Sequence, residues 1–445
     1  MRIKNKIALY LLGKKEGFDM KTLKDFVART QHWTIEQWRT YHNEHIPALI
    51  KQAYTNVPFY RQWFDAAGIK PEDIRTVDDL EKIPIVRKSD LIAHGADFRA
   101  INASEYAMIH HHTGGTTGTP CAYDMDRYSW ALNWALKMRT FEWGGYTYGE
   151  DELGVMAGGS LIPGARGGWK NRLWRYVNNY YSMPASHLTI EILEQYYNYL
   201  KNNQVRFLRG YPSALTTLAE YIREHHGTLP MQAVFTTAEM LLPHQRIIME
   251  EAFQCKLFDT YGCGDGMGHA TECEVHGELH VCEECSILQI VDENGKEVHD
   301  GEEGEIVLTA LYNYGFPFIR YAPGDRAVKS EKKCECGRET KMIRVLNGRS
   351  SDNFKLANGK IINALSLPFE ELTDEVAQFQ IVQEALDKVE LLLVPKNEIL
   401  PQRIKDFESL LAYHCGEGIQ VMVRIVDHIE LPHSGKLRYV ISKVQ

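Results

Sequence analysis

The chain has 445 residues, enough for two or three domains that each bury a core. Its 44% hydrophobic and 24% charged content is that of an ordinary globular protein. The net charge of −9 argues against a nucleic-acid binder, which needs a basic excess to neutralise phosphates, and still allows a local basic pocket for one small anion. No segment approaches the roughly 18 apolar residues of a membrane helix. Residues 7–12, apolar between basic flanks, form too short a core and lack a small-residue cleavage site, so the sequence reads as cytoplasmic.

The first hundred residues are predicted largely helical. Over 34–53 the apolar positions Trp38, Tyr41, Ile46, Leu49 and Ile50 fall close to helical spacing. Asn56-Val57-Pro58-Phe59-Tyr60 punctuates the chain, and short helix and loop carry it through 78–88. Then comes His112-Thr113-Gly114-Gly115-Thr116-Thr117-Gly118-Thr119-Pro120. Its glycines free the backbone for close approach, and hydroxyls with unpaired N–H groups suit phosphate oxygens. It is not a Walker loop, because no lysine follows Gly118. Residues 128–141 predict an amphipathic helix rich in aromatics.

From 153 the pattern alternates. Strands are predicted over 153–157, 205–208, 233–236 and 256–258, with helices over 190–201, 213–225 and 243–253 between them. One helix per crossover implies a mostly parallel sheet, whose ligands sit in loops at the carboxyl ends of the strands. Two such loops place a carboxylate beside small residues: Thr236-Thr237-Ala238-Glu239, and 259–265 with Asp265. From 286 the chain turns to β-structure, read as a small barrel or curled antiparallel sheet to about 347. Gly348-Arg349-Ser350-Ser351-Asp352 reads as a boundary between domains at 1–347 and 348–445. The second is predicted α+β and ends in the basic loop Gly435-Lys436-Leu437-Arg438.

Nine cysteines need their own account. Cys121, Cys255 and Cys415 stand alone and read as buried hydrophobes. Cys334-Glu335-Cys336-Gly337 is a tight thiolate pair, and Cys273 lies in a stretch with His276 and His280. Cys273, Cys334 and Cys336 with either histidine make a Cys₃His set of the structural zinc type. His280 is favoured, because a strand fixes ligand geometry better than a loop. Cys263, Cys282 and Cys285 are competing ligands.

In this order, the motifs resemble those of the adenylate-forming superfamily, in particular the phenylacetate–CoA ligases and the related capsular-polysaccharide-associated, CapK-like ligases. The residues that carry the likeness are the loop 113–120, Ala238-Glu239, Tyr261-Gly262-x-x-Asp265, Arg320-Tyr321-x-x-Gly324-Asp325, Gly348-Arg349-x-x-Asp352 and Gly435-Lys436. The resemblance implies an α/β fold: a large N-terminal domain with mainly parallel sheets and a small barrel, and a mobile α+β lid hinged near Asp352. It implies an AMP-forming ligase that activates a carboxylic acid with ATP and Mg²⁺ and passes the acyl group to a thiol, most simply CoA. Thr113, Gly114, Gly115, Thr116, Thr117 and Gly118 would then hold ATP phosphates. Tyr261 would stack on adenine, Asp325 would accept from ribose, and Ala238, Glu239, Gly262 and Arg349 would line the nucleotide and acyl site. Asp265 stands where relatives carry a metal-binding glutamate, and Thr119 where many carry lysine. Lys436 would bridge the acyl carboxylate and α-phosphate. The alternatives are transfer to an amine or hydroxyl, and a nucleotide-binding regulatory protein that kept the fold. A homodimer is left open. Aromatic residues over 128–148 favour a flat or apolar acyl group, although aromatics pack as core just as often.

Overall fold

The structure is a computed structural model that describes residues 3–112, 122–157, 176–183, 185, 188–330, 332–346, 353–357, 361–363, 376–397, 399–416, 418–430 and 440–444. At its centre lies a five-stranded sheet in the order Tyr180–Met183, Leu153–Met156, Phe207–Gly210, Ala233–Thr236, Leu257–Phe258. All its pairings are parallel. Leu153–Met156 and Ala233–Thr236 are buried at every position, as strands covered on both faces must be. Three crossover helices, Ile190–Asn202, Pro212–His225 and Pro243–Phe253, start where the sequence supplies a first-turn signal. Thr189 accepts from the Ile192 amide at 3.4 Å, and Pro212 and Pro243 sit at the first helical position, where no N–H is needed.

Between 153 and 258 every predicted element is present, its ends shifted by at most two residues. The strand Tyr180–Met183 was not predicted. It is the sheet's outer strand and half-buried over three of its four residues, so its sequence lacks a continuous apolar run.

The aromatic-rich helix runs Arg127–Trp143, capped by Asp126, which accepts from the Ser129 amide at 2.8 Å. It is not amphipathic. Its buried positions run from Ser129, Leu132 and Leu136 round to Ala131, Ala135 and Met138, more than half of its circumference, and include the polar Arg139 and Thr140; the helix Met20–Thr30 packs against it. Its Arg139 forms a fully buried ion pair with Glu284 and also donates to the Val27 carbonyl at 3.1 Å. A charge so deep is held only because acceptors meet it.

Residues 260–346 with Val86–Arg87 form a nine-stranded sheet, largely antiparallel. It begins earlier than the sequence predicts: Thr260–Cys263 and Gly268–Glu272 are already a hairpin, with Tyr261 opposite Ala270. Glycines at 262, 264, 266 and 268 concealed the alternation that marks a strand. A four-stranded sheet, in the order Gln420–Ile425, Lys388–Pro395, Val376–Ala385, Val440–Ser442, carries the helix Pro401–Cys415 over a separate core of Ile381, Leu391, Leu393, Phe407 and Leu411. The predicted boundary and Asp352 lie outside the described residues.

Candidate active site

Parallel pairing brings the carboxyl ends of the central strands to one edge, and the loops that leave them meet there. Gly210 ends one strand so close to its neighbour that a Cβ would lie 2.5 Å from the Met156 carbonyl oxygen. After Thr236 the chain turns through Ala238, held in the left-handed region at φ +70°. That turn aims Glu239 at the next loop, where its Oε2 accepts from the Ser213 amide at 3.0 Å. The contact is at the amino end of Pro212–His225, where the helix dipole favours a carboxylate. Thr236 donates to Asp259 at 2.6 Å, and burial pushes the Asp259 carboxyl up to about 6.

The hairpin beyond Asp259 joins residues far apart in sequence. The Tyr261 hydroxyl donates to Asp325 Oδ2 at 2.7 Å. The Tyr321 hydroxyl donates to Asp265 Oδ2 at 2.9 Å, and the Cys263 thiol to Oδ1 at 3.2 Å. Both aspartates are buried. Burial, followed by the neighbouring Asp325, drives the Tyr261 hydroxyl well above its ordinary value, so it remains a donor. Each Asp265 oxygen retains acceptor capacity beyond these donors, which suits a hard cation.

Arg320, part of the same motif, sits behind this layer. Fully buried, it donates to the carbonyls of Leu80, Ile83 and Gly295 at 3.1, 3.1 and 2.6 Å and thereby fixes the strand that presents Tyr321. The structure thus gathers Ala238, Glu239, Tyr261, Gly262, Asp265 and Asp325 at one edge. Thr113, Gly114, Gly115, Thr116, Thr117, Gly118, Arg349 and Lys436 lie outside the described residues.

Beside these loops is a cavity of about 180 Å³. Lys137 and Thr140 line it from the aromatic-rich helix, Arg209 and Thr237 from the strand ends, and Gly262, Gly264 and His269 from the hairpin. Burial, with Arg209 adding to it, pulls the Lys137 ammonium down to about 8. Burial and then Lys137 pull His269 to about 3, so its ring is neutral, with Nε2 3.3 Å from the Thr140 hydroxyl. Sequence reasoning missed Lys137, Arg209 and His269. Arg209 had a signal: a cation inside an apolar strand covered on both faces must meet a partner or a ligand. Lys137 had none, since a lysine on a helix normally marks the solvent face.

The cysteine clusters also separate. Cys273, His280, Cys334 and Cys336 present ligand atoms that all lie within 4.8 Å of one another. Cys273 and Cys334 are 3.6 Å apart at sulfur, and Cys336 Sγ is 3.4 Å from His280 Nε2. A tetrahedral zinc with Zn–S and Zn–N bonds of about 2.3 and 2.0 Å has edges of about 3.5–3.8 Å, so the set fits that ion. The other ring nitrogen of His280 bonds the Thr340 hydroxyl at 2.8 Å, the outer contact that orients a ligating imidazole. His276 stands outside this group, its ring against Phe258 and 3.7 Å from Glu272. The competing thiols are engaged elsewhere: Cys263 with Asp265, Cys282 with Arg139, and Cys285 with the Met267 carbonyl.

Residues 354–443 match the CapK C-terminal domain family. Over 412 residues, 91% of the chain and 89% of its counterpart, the chain is 25% identical to Protein CapK of Staphylococcus aureus. It is 26% identical to a phenylacetate-coenzyme A ligase of Thermus thermophilus, across 80% of this chain and 81% of that one. The crystal structure of 2-hydroxyisobutyryl-CoA ligase, in the postadenylation state with R3-HIB-AMP, shares the fold at a TM-score of 0.73 and 21% identity, covering 94% and 92% of the two chains. On these grounds the chain is similar to CapK and to the phenylacetate–coenzyme A ligases, and its fold is that of 2-hydroxyisobutyryl-CoA ligase.

Proposed function

We propose that the protein is an AMP-forming acid–thiol ligase. A substrate carboxylate oxygen attacks the α-phosphorus of ATP, the bond to pyrophosphate breaks, and an acyl-adenylate forms. The sulfur of CoA then attacks the acyl carbon, AMP leaves, and the thiol proton passes to solvent. The observation that carries this reading is the meeting of Tyr261 with Asp325 and of Tyr321 with Asp265, beside a cavity at the carboxyl ends of the strands.

In this reading Asp325 accepts from the ribose hydroxyls while the Tyr261 ring faces adenine, and their hydrogen bond sets one against the other. Asp265, held by Tyr321 and Cys263, would hold Mg²⁺, which supplies counter-charge to the phosphates. Glu239 and Ala238 shape the loop over the nucleotide, Gly262 leaves room for it, and the loop 113–118, with Arg349, completes the phosphate side. Lys436 would offset the charge that builds on the reacting oxygens. Cys273, His280, Cys334 and Cys336 would bind one structural Zn²⁺, with no part in the chemistry. Residues 1–347 would form the adenylation domain and 348–445 the lid, in a protein of the cytoplasm.

The test is pyrophosphate release with a panel of carboxylic acids, followed by addition of CoA. Acid-dependent release, with acyl-CoA formed only after CoA is added, is the expected result. Release that never depends on acid would remove the ligase reading.

A further inference from the structure

The cavity is unlike the flat, apolar acyl pocket that the aromatic residues over 128–148 suggest. Of those residues Phe141 lines it, but Tyr146 packs against Phe207 and Trp143 against Arg338. Lys137 and Arg209 line the same space. Among the described residues no carboxylate pairs with either cation. Lys137 rests against the Trp130 and Trp134 rings at 5.5 Å, which support a cation without neutralising it. Two neighbouring, partly buried positive charges repel each other and have lost solvation, an arrangement that costs stability unless an anion enters.

We infer that the acid activated here carries a second negative group, which Lys137 and Arg209 hold at the far end of the acyl pocket. This rests on the ligase reading and names its substrate class. The guanidinium suits a carboxylate or phosphate by a paired contact, and the ammonium adds a point charge. Thr140 and the neutral ring of His269 add polar contacts on the same wall. An engineered cavity of ~150 Å³ takes up benzene, so this one suits an acyl group of about six to eight heavy atoms. Tyr261, which reaches Asp325, does not itself line the cavity, although its neighbours Thr260 and Gly262 do, so the ribose contact borders the space that the cations line. They recognise the distal anion of the acid, not the nucleotide.

The experiment compares matched acids of equal length in the pyrophosphate-release assay: butyrate with succinate, valerate with glutarate, and phosphonate analogues of the diacids. The wild-type protein is expected to favour diacids over monoacids about 100-fold in kcat/KM. The phosphonate arm shows whether carboxylate or phosphate is the better distal group. Lys137→Met should lower kcat/KM for the diacid at least 10-fold, mainly through KM, and narrow the preference. KM for ATP and for CoA should stay unchanged. Equal or better turnover of monoacids by the wild-type protein overturns the inference, as does a folded Lys137→Met protein that shifts KM for ATP or CoA instead. If Lys137→Met melts early, Arg209→Lys, which keeps charge but loses the fork, should reduce the diacid preference less than Arg209→Met does. If no acid releases pyrophosphate, the ligase reading fails. Calorimetry then decides the pocket alone: diacid binding lost in Lys137→Met supports it, and no diacid binding to the wild-type protein overturns it.

Discussion

At the scale of single residues, Asp325 is the group whose role separates most cleanly from folding. Its carboxylate is buried and receives the Tyr261 hydroxyl at 2.7 Å. Asp325→Ala is expected to weaken ATP binding by about 2–3 kcal/mol, the worth of hydrogen bonds to a charged acceptor. The Tyr261 donor loses its partner in the same variant, so Tyr261→Phe serves as the control. If Asp325→Ala binds ATP no more weakly than Tyr261→Phe, assessed by calorimetry, Asp325 only orders the tyrosine. Arg320 is the contrasting case. It belongs to the same motif, yet three carbonyls hold its two terminal nitrogens, and its replacement should act on stability.

At the scale of elements, the alternation of short apolar strands with helices was legible because parallel pairing imposes it: each crossover needs a helix, and strands covered on both faces need continuous apolar runs. The hairpin from Thr260 was not legible as a strand pair, since its glycines carry no side-chain pattern. The candidate site was legible in half. Tyr261, Asp265 and Asp325 stand out by motif, whereas Lys137 and Arg209 reach the cavity only through tertiary packing. The cysteines tie elements together directly. His280 is on the strand Leu279–Val281, which pairs with Met342–Leu346, and Cys334 and Cys336 lie on the loop that precedes that partner strand. A shared ion would close a loop of some sixty residues, and such binding energy is folding energy. About one zinc per chain should survive gel filtration, as read by elemental analysis. Cys334→Ser should release it and melt earlier, whereas His276→Ala should retain it. A protein free of zinc that melts unchanged in strong chelator would dismiss the metal.

For the whole molecule, the C-terminal sheet has its own core and meets the rest through contacts such as Lys396–Glu220, a half-exposed pair at 2.7 Å worth about 0–1 kcal/mol. Weak contacts of this kind suit a unit that turns between two reactions. Lys436→Ala should therefore slow adenylate formation by about 10²–10³, or ~3–4 kcal/mol. Thiolysis of a supplied acyl-adenylate should survive, and equal loss of both half-reactions would refute a rotating lid.

The paired cations of the cavity reach further than catalysis. In the folded chain Lys137 gives up its proton near pH 8, while the unfolded chain keeps it to about 10.5. Unfolded chains thus bind more protons at this one site across that window, so the lysine's own share of stability rises with pH by up to about 3 kcal/mol, while buried thiols such as Cys255, Cys282 and Cys285, their pKa values pushed up by burial, pull the other way above about pH 9. Arg209 remains charged and His269 neutral across it, so the lysine's share is read as a difference: from pH 7 to 9.5 the urea midpoint of the wild-type protein should rise relative to that of Lys137→Met, and parallel profiles would assign the lysine no part. At neutral pH the same strain is relieved by any anion that fills the cavity, and a ligand at a hundred times its Kd adds about 2.7 kcal/mol. The protein would then be most durable where its own acid is plentiful, and would be thinned by proteolysis where the acid is scarce, so supply of substrate would set how much enzyme a cell keeps.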